Sequence, residues 1–499
     1  MALDPTRTPV IVAVGQSIER DEIVTPVDLV ERAAISVLDQ APDLAKGIDQ
    51  VTMVGVIFSK AGKNPASAIA DRLGLPDSVT CESTSAGGNT PQWLVTRAAE
   101  AIAAGKLNSA LITGAEATRS QRATGQSDGS LFQGDGPTDG DGGAGGRTDV
   151  MVHAGDEDFL GPGEINARLF LPTHIYPLFE SAIAASAGRT FAEQRVFLGE
   201  FLARFTEVAA QHPYAWFPKA ATAEELSTVT PSNRLTAEPY TKRMNAFPNV
   251  DQGSALLVTS LAAASRAGLS DQAIFIWSGA STAEVRHPAA RPELGKSPAI
   301  AAAALRAREA AGVAVDDIAL FDFYSCFPCA VEAGAEAVGI AIDDPRGLTV
   351  TGGLPYFGGP GNNYVGHSIA TMVEQLRTTP GIGMVTALGG FITKHAVGIY
   401  SAEPPPNGFK KGDTTADQAA IDASALEVAT EADGEATVVG ATIIPNDDGS
   451  VKAAPVIANL DDGRRIVAIA DESILGDLSG RSLVGERIKV SGGPPPVYR

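Results

Sequence analysis

Short apolar segments alternate with helix signals along most of the chain, and this alternation constrains the fold more than any other feature. The pair Thr25-Pro26 is typical of a helix start, with Thr as the N-cap and Pro in the first turn, and Thr90-Pro91 repeats it. Strand-like runs lie around these helices at residues 10–14, 51–58, 78–84 and 109–114. Strands separated by helices predict a mostly parallel sheet that is covered on both faces.

The same alternation of strand-like runs and helices occurs in the second half of the chain. Strand-like runs occupy residues 273–277, 318–323, 383–386 and 397–401, with helices predicted over 298–311, from about 329 to 338, and over 367–377. We therefore predict an α/β protein with two similarly wound halves, made by residues 1–120 with 246–268 and by residues 269–402.

Two regions depart from this rhythm. Residues 121–245 begin with a long Gly- and Asp-rich loop and continue as irregular, aromatic-rich helices, so we interpret them as an inserted loop domain. The Pro-rich residues 403–413 predict a linker. Beyond it, residues 414–499 contain short strand-like runs with turn signals at 446–449 and 461–463, which predict a separate small OB-like β-domain.

Composition excludes several classes of function. A net charge of −21 argues against a nucleic-acid surface and against binding to anionic membranes. Three cysteines are too few for a disulfide framework, no apolar run is long enough to cross a bilayer, and the start of the chain has no signal pattern. We expect a cytoplasmic protein without membrane insertion, without a metal and without a permanently bound cofactor.

Four segments carry a recognisable pattern, and they lie within residues 8–402, which are about four-fifths of the chain. They are residues 90–105 with ALITGAE (110–116), VDQGSALLVTS (250–260), FDFYSCFPCAV (321–331) and TGGLPYFGGPGNNYVGHSIATMVEQLR (351–377). These segments resemble the thiolase superfamily, closest to the sterol-carrier-protein-type thiolases. The tail resembles the extra C-terminal domain of mycobacterial-type thiolase-like proteins. The resemblance implies coenzyme A or acyl-CoA as ligand or substrate, and a homodimer, with a monomer left open.

The side chains on which thiolase chemistry depends are missing. By the resemblance, the nucleophilic Cys falls on Gly88, the His of the Gly-His-Pro loop on Gly359, and the Asn or His of a third loop on Tyr324. The second Cys falls near residues 387–390, and Cys81 lies on the preceding strand as a core thiol. Thiolysis through a cysteine is therefore not expected.

Main-chain donors and new polar residues remain at the same loops. Backbone N–H groups of Gly88, Gly389 and Gly390 offer an oxyanion hole that needs no side chain, although such glycines also simply make turns. As catalytic candidates we name His395, Tyr324, Lys394, Asn363 and His367. As candidates for binding substrate or CoA we name Asn89, Ser325, Gly359, Asn362, Tyr364, Lys242 and Arg243. His395 leads because imidazole titrates near neutrality, and a neighbouring Lys394 is expected to lower its pKa.

These observations leave three functions open. The first is an acyl-CoA-binding acyltransferase of the acetyl-CoA acetyltransferase type that works without the usual cysteine. The second is a retro-aldol lyase acting on a β-hydroxyacyl-CoA, and the fused β-domain adds weight to it because thiolase-like aldolases pair with a separate OB-containing protein. The third is a non-catalytic protein that binds CoA or a lipid acyl group.

Overall fold

The computed structural model describes residues 3–125, 147–155 and 158–499. Most of the predicted long loop, residues 126–146, lies outside these ranges. Within them, no helix is both long enough and apolar enough to cross a membrane.

The first half contains strands and helices in the predicted alternation. They are β1 Pro9–Ile18, α1 Pro26–Gln40, β2 Gln50–Met53, α2 Pro65–Arg72, β3 Thr80–Thr84, α3 Thr90–Ala103, β4 Ser109–Ala117, α4 Thr118–Ala123 and β5 Val150–Val152. Thr25 caps α1 in a capping box with Asp28, as its position predicts. The apolar run 51–58 is a strand only as far as Met53, because the buried carboxylate of Glu116 binds the following N–H groups of Ile57 and Phe58.

Helices and a small hairpin make up the inserted region. They are α5 Pro162–Asn166, α6 Pro172–Ser186, α7 Phe191–Gln211, α8 Ala223–Ser227, β6 Leu235–Ala237 and β7 Tyr240–Thr241. The chain then returns to the sheet through β8 Asp251–Ser260 and α9 Leu261–Arg266. The second half follows with β9 Ile274–Ala283, α10 Pro298–Ala311, β10 Ile318–Asp322, α11 Pro328–Val338, α12 Tyr364–Thr378, β11 Ile382–Gly389 and β12 Lys394–Ser401.

One large sheet joins the two halves. Its strand order is β10-β11-β12-β9-β1-β8-β4-β2-β3-β5, with β1 pairing β9 at the centre. In each half the first strand lies at this junction, the last strand pairs with it, and β4 or β11 follows, so the predicted similar winding is confirmed. The sheet is mixed rather than mostly parallel, because β8 and β12 run antiparallel to their neighbours. A short turn between β11 and β12 forces this reversal.

The tail adds one helix and a closed β-barrel. Its elements are β13 Lys410–Lys411, α13 Thr415–Ala423, β14 Val428–Ala429, β15 Gly434–Ala441, β16 Ile444–Pro445, β17 Val451–Ala453, β18 Pro455–Leu460, β19 Arg465–Ala470, β20 Arg487–Ser491 and β21 Val497–Tyr498. The barrel order is β19-β18-β15-β20-β21, and pairing of β21 with β19 closes it. The predicted small β-domain is therefore confirmed, and the predicted turns at 446–449 and 461–463 lie between its strands.

The segment predicted as a linker is packed against the body. The Trp277 indole donates to the Glu403 carbonyl at 2.7 Å, and β13 adds to β9 in parallel. Helix α13 packs on α10, where Arg306 binds both carboxylate oxygens of Asp417 at 2.7 and 3.0 Å. The β-domain proper therefore starts at β14.

The barrel in turn contacts the inserted region through main-chain hydrogen bonds. The Ala441 N–H donates to Ser181 Oγ at 2.9 Å, and the Glu238 N–H donates to the Ile443 carbonyl at 2.9 Å. Gly163 and Gly440 both lie close to neighbouring residues. An added Cβ at Gly163, for example, would lie 2.9 Å from Val467. The tail and the two halves thus form one packed structure.

Candidate functional site

The loop Gly87-Gly88-Asn89 enters α3 at the point where strands from both halves end. A Cβ on Gly88 would lie 2.4 Å from the Leu388 carbonyl oxygen and 2.4 Å from the Tyr324 hydroxyl. Gly88 does not have a positive φ. Space, rather than backbone conformation, therefore requires glycine at position 88.

Tyr324 occupies the volume into which a side chain at position 88 would project. Its N–H donates to Thr386 Oγ1 at 2.9 Å, and its ring makes an edge contact with Tyr364 at 5.6 Å between centroids. Burial raises the pKa of Tyr324 well above its ordinary value, so the hydroxyl keeps its proton at neutral pH. The position of the expected nucleophile is filled by a neutral phenol from the facing loop.

The two asparagines after Pro360 hold main chain. Asn362 Oδ1 accepts from the Gly87 N–H at 2.9 Å, and its Nδ2 donates to the Gly55 carbonyl at 2.7 Å. Asn363 Nδ2 donates to the Gly114 carbonyl at 2.8 Å and to Ser254 Oγ at 3.0 Å. Asn362 thus ties the Gly88 loop to the end of β2, while Asn363 ties α12 to β4 and β8.

The β11–β12 turn closes over the Gly88 loop. A Cβ on Gly389 would lie 2.4 Å from Asn89 Oδ1, so the two loops approach each other closely. Gly390 has a φ of 68°, which glycine adopts without strain, and its carbonyl accepts from the Tyr176 hydroxyl at 2.8 Å. Lys394 Nζ donates to the Ala86 carbonyl at 2.8 Å. The structure thus places Gly389, Gly390 and Lys394 beside the Gly88 loop.

His395 lies within strand β12, opposite Leu388, rather than in a loop. It shares with Tyr324 a cavity of about 10 Å³, which is roughly the space of one water molecule. Burial lowers the pKa of His395 to about 3, with a further contribution from the charge of Arg291. The like charge thus comes from Arg291 and not from Lys394, whose side chain leaves the opposite face of the strand.

The other predicted residues anchor loops. His367 Nδ1 lies 2.8 Å from Gln16 Oε1, and burial and His212 lower the pKa of His367 to about 3. The Tyr364 hydroxyl shares a 2.6 Å hydrogen bond with Thr351, and Ser325 Oγ accepts from the Leu354 N–H at 3.3 Å. Gly359 lies against the main chain of Phe247, where an added Cβ would have ordinary contacts.

Two buried carboxylates that were not predicted from the sequence lie near these loops. Asp322 accepts from the Val350 N–H at 2.9 Å and from Ser368 Oγ at 2.7 Å, and burial raises its pKa to about 6. Burial raises the pKa of Glu116 to about 7. Both lie near the C-terminal ends of apolar runs, a position that signals loop anchoring or chemistry at a sheet edge. Among the described residues no group of His, Cys, Asp and Glu forms a metal site.

Lys242 and Arg243 lie together in a separate feature, which we name the basic cleft. It has a volume of about 330 Å³ and lies between the inserted region and the loop before α12. Its lining residues include Phe217, Lys219, Glu225, Lys242, Arg243, Asn245, Phe247 and Tyr356. Three cations thus face one carboxylate, Glu225, which also closes a capping box with Thr222.

No family model and no curated protein matches the chain. Among solved structures, it superposes on a monomeric SCP2-thiolase-like protein type 1 from Mycobacterium smegmatis with a TM-score of 0.84 and 33% identity, covering 100% of both chains. The chain belongs to the SCP2-thiolase-like proteins. The predicted membership of the thiolase superfamily is confirmed.

Two more distant structures share the fold of this SCP2-thiolase-like chain. One is an acetyl-CoA acetyltransferase from Syntrophomonas wolfei, with a TM-score of 0.58, 15% identity and coverage of 79% of this chain and 99% of that one. The other is an Ltp2-ChsH2(DUF35) aldolase, with a TM-score of 0.60, 18% identity and coverage of 80% and 98%. At these identities they support the fold alone.

The buried His367 predicts a specific acid sensitivity of this SCP2-thiolase-like protein. Its folded pKa, about 3, lies below the unfolded value of about 6.5, so its neutral form stabilises the fold above pH 6.5. That stability is lost as the pH falls toward 3, by about 2 kcal/mol at pH 5. In His367→Asn, which keeps a donor for Gln16, we expect the difference in urea unfolding free energy between pH 7 and pH 5 to be smaller by this amount. Equal pH differences in the two proteins would contradict the assignment.

Proposed function

We propose that this protein binds coenzyme A or an acyl-CoA, with the phosphorylated end of the ligand in the basic cleft, and that it does not carry out cysteine-dependent thiolysis. The basic cleft is the observation that carries this proposal. Its volume of about 330 Å³ falls in the range of small-molecule sites. It is too small for the whole of coenzyme A, so only one end of the ligand is assigned to it.

Charge supports a phosphorylated ligand. The chain as a whole carries −21, which repels anions, so a phosphate needs local positive potential. Lys219, Lys242 and Arg243 supply it from two separate segments of the inserted region. An arginine beside lysines suits phosphate, because the guanidinium can bind two oxygens at once.

Aromatic and polar groups support a heterocyclic base beside that phosphate. Phe217 packs edge-on against Phe247, with 4.8 Å between ring centroids, and is 41% exposed. An exposed aromatic face is a platform on which a base can stack. Tyr356 Oη and Asn245 Oδ1 are buried and, within the described residues, have no hydrogen-bond partner. A bound ligand would satisfy them.

The geometry at Gly88 supports the absence of thiolysis. No thiol stands at that position, and the space that a side chain there would need is filled by the Tyr324 hydroxyl and the Leu388 carbonyl oxygen, each 2.4 Å from an added Cβ. The three cysteines are buried, and burial raises the pKa of Cys326 to about 12. A buried, protonated thiol is a poor nucleophile.

Titration calorimetry with coenzyme A tests the proposal. We expect binding in the wild-type protein, and we expect Arg243→Met to weaken it about tenfold or more, as the loss of a charged hydrogen bond does. Arg234→Met removes a nearby exposed arginine outside the lining and is the matched control, with unchanged affinity. Pantetheine, which lacks the phosphates, should bind far more weakly. No heat with millimolar coenzyme A, or equal losses in the two variants, would refute the assignment.

Retro-aldol cleavage of a β-hydroxyacyl-CoA is a second candidate, favoured by the proximity of Tyr324 and His395, an acid and a base that line one small cavity. A base takes the β-hydroxyl proton, the bond between the α and β carbons breaks, and a carbonyl product leaves. The acyl-CoA enolate then takes up a proton. His395 would be the base, a weak one because its pKa is about 3, and the Tyr324 phenol would be the acid. Incubation with β-hydroxyacyl-CoAs should release a ketone or aldehyde, and His395→Ala should lower kcat by ~10²–10⁴. The small cavity makes this the weaker candidate.

A further inference from the structure

The turn between β11 and β12, residues 389–393, is held from one side by a buried arginine. Arg291 is 2% exposed and lies in the segment between β9 and α10. Its Nη1 donates to the Phe391 carbonyl at 2.8 Å, and its Nη2 donates to Thr393 Oγ1 at 3.0 Å. Its Nε donates to the Val285 carbonyl at 2.9 Å. One guanidinium thus fixes both the turn and the chain that leaves β9.

A second buried arginine, which belongs to the barrel, binds the main chain of the segment between β9 and α10. Arg465 on β19 is also 2% exposed, and its Nη2 donates to the carbonyls of Arg291 and Pro292 at 3.1 and 2.6 Å. Close by, the Leu426 N–H donates to the Ala290 carbonyl at 2.8 Å. The barrel therefore fixes the main chain of Arg291, and the side chain of Arg291 in turn fixes the turn at residues 389–393.

Burying these two cations is unfavourable, and the lowered pKa of each arginine reflects this. Burial lowers the pKa of Arg291 and of Arg465 from their ordinary values, and the carboxylates of Glu284 and Glu164 oppose this at Arg291. The hydrogen bonds of Arg465 go to carbonyl oxygens, which offset desolvation only in part. A pair of buried arginines on main-chain acceptors is a poor means of raising stability. It is a good means of fixing the geometry of two loops.

We infer that Arg465 and Arg291 form a brace through which the C-terminal barrel positions the 389–393 turn over the Gly88 loop. Both are positioning residues, since they act on Gly389 and His395 through the main chain of the turn. The inference gives the fused barrel a role at the site. It rests on the proposed function only in so far as that turn borders a working site.

Hydrogen exchange of the full chain, without ligand, tests the brace. In Arg465→Met we expect amides of residues 389–395 to exchange at least about tenfold faster, while amides of β15 and β18 in the barrel stay unchanged. Arg464→Met is the matched control, because Arg464 is the exposed neighbour paired with Asp462 and should change neither region. Arg291→Met should reproduce the effect, and the double variant should add little to it.

Other outcomes would overturn the brace. Unchanged exchange in the turn would do so, and so would equal acceleration across the barrel, which would mark a merely structural residue. Should Arg465→Met fail to fold, Arg465→Lys retains a donor and should also speed exchange in residues 389–395 and not in the barrel, by a smaller factor. If Arg465→Lys shows no such difference between the two regions, the brace is refuted. Coenzyme A titration of the same variants separates the two proposals. Intact binding with a loosened turn supports both, and a loosened turn together with a wild-type protein that does not bind coenzyme A refutes only the proposed function.

Discussion

Replacing Gly88 with alanine is expected to destabilise the protein by about 3 kcal/mol, at the upper end of the usual cost of overpacking. The new Cβ would lie 2.4 Å from the Leu388 carbonyl oxygen, which is main chain and can move only if β11 moves. It would also meet the Tyr324 hydroxyl at 2.4 Å. Gly47→Ala is the control, because an added Cβ there has no neighbour within 4 Å. The measurement is the free energy of unfolding in urea.

The close contact between position 88, Leu388 and Tyr324 also decides how a cysteine at position 88 would behave. Gly88→Cys should be as unstable as Gly88→Ala and should show no thiolysis, because by the resemblance the other catalytic groups are expected to be missing too and such groups act together. Adding Tyr324→Ala should relieve only the part of the clash that the phenol makes. A stable Gly88→Ala protein, or a Gly88→Cys protein that cleaves a 3-ketoacyl-CoA, would contradict the geometry described here.

A chain that ends at Ala402 is expected to lose on the order of 5 kcal/mol of stability and to aggregate, since it exposes apolar residues that together contribute that much. Leu178 and Leu294 lie under the barrel around Gly440, and Ile457 and Val467 of the barrel belong to the main core. The strand β13 and its pairing with β9 are lost as well. Thermal unfolding and size-exclusion chromatography of residues 1–402 beside the full chain measure the effect.

A matched control for this truncation is Arg487→Met in the full chain, which removes an exposed barrel arginine paired with Asp461 and should leave the melting temperature almost unchanged. A monomeric 1–402 body that melts at the temperature of the full chain would instead show that the barrel is an independent domain. This result is what a free linker at 403–413 predicts. The packing of Glu403, β13 and α13 argues against it.

Local signals explain which parts of the fold were predictable. The Thr25 cap of α1, the proline in the first turn of α3, the alternation of apolar runs and the turns of the barrel depend on residues that are neighbours in the chain. The predicted Thr90 cap is wrong, because Thr90 is the first residue of α3 and the N-cap is Asn89, which makes no side-chain capping hydrogen bond. Helix α13 was missed because its apolar face is weak and is defined by α10, a distant partner. The short β2 was overestimated because a buried carboxylate, not local propensity, decides where it ends.

At the site, the sequence by itself determined which groups are absent and which loops meet. By the resemblance, Gly88, Gly359 and Tyr324 are expected to stand where the family carries its catalytic side chains, and that expectation is read residue by residue. Only the tertiary structure decided that the Tyr324 hydroxyl fills the space beside Gly88, that Lys219 joins Lys242 and Arg243 in one cleft, and that Arg465 reaches the main chain at Arg291. The physical reason is that volume, burial and hydrogen-bond partners at these places come from segments far apart in the chain. No local pattern of residue types specifies the distances between them.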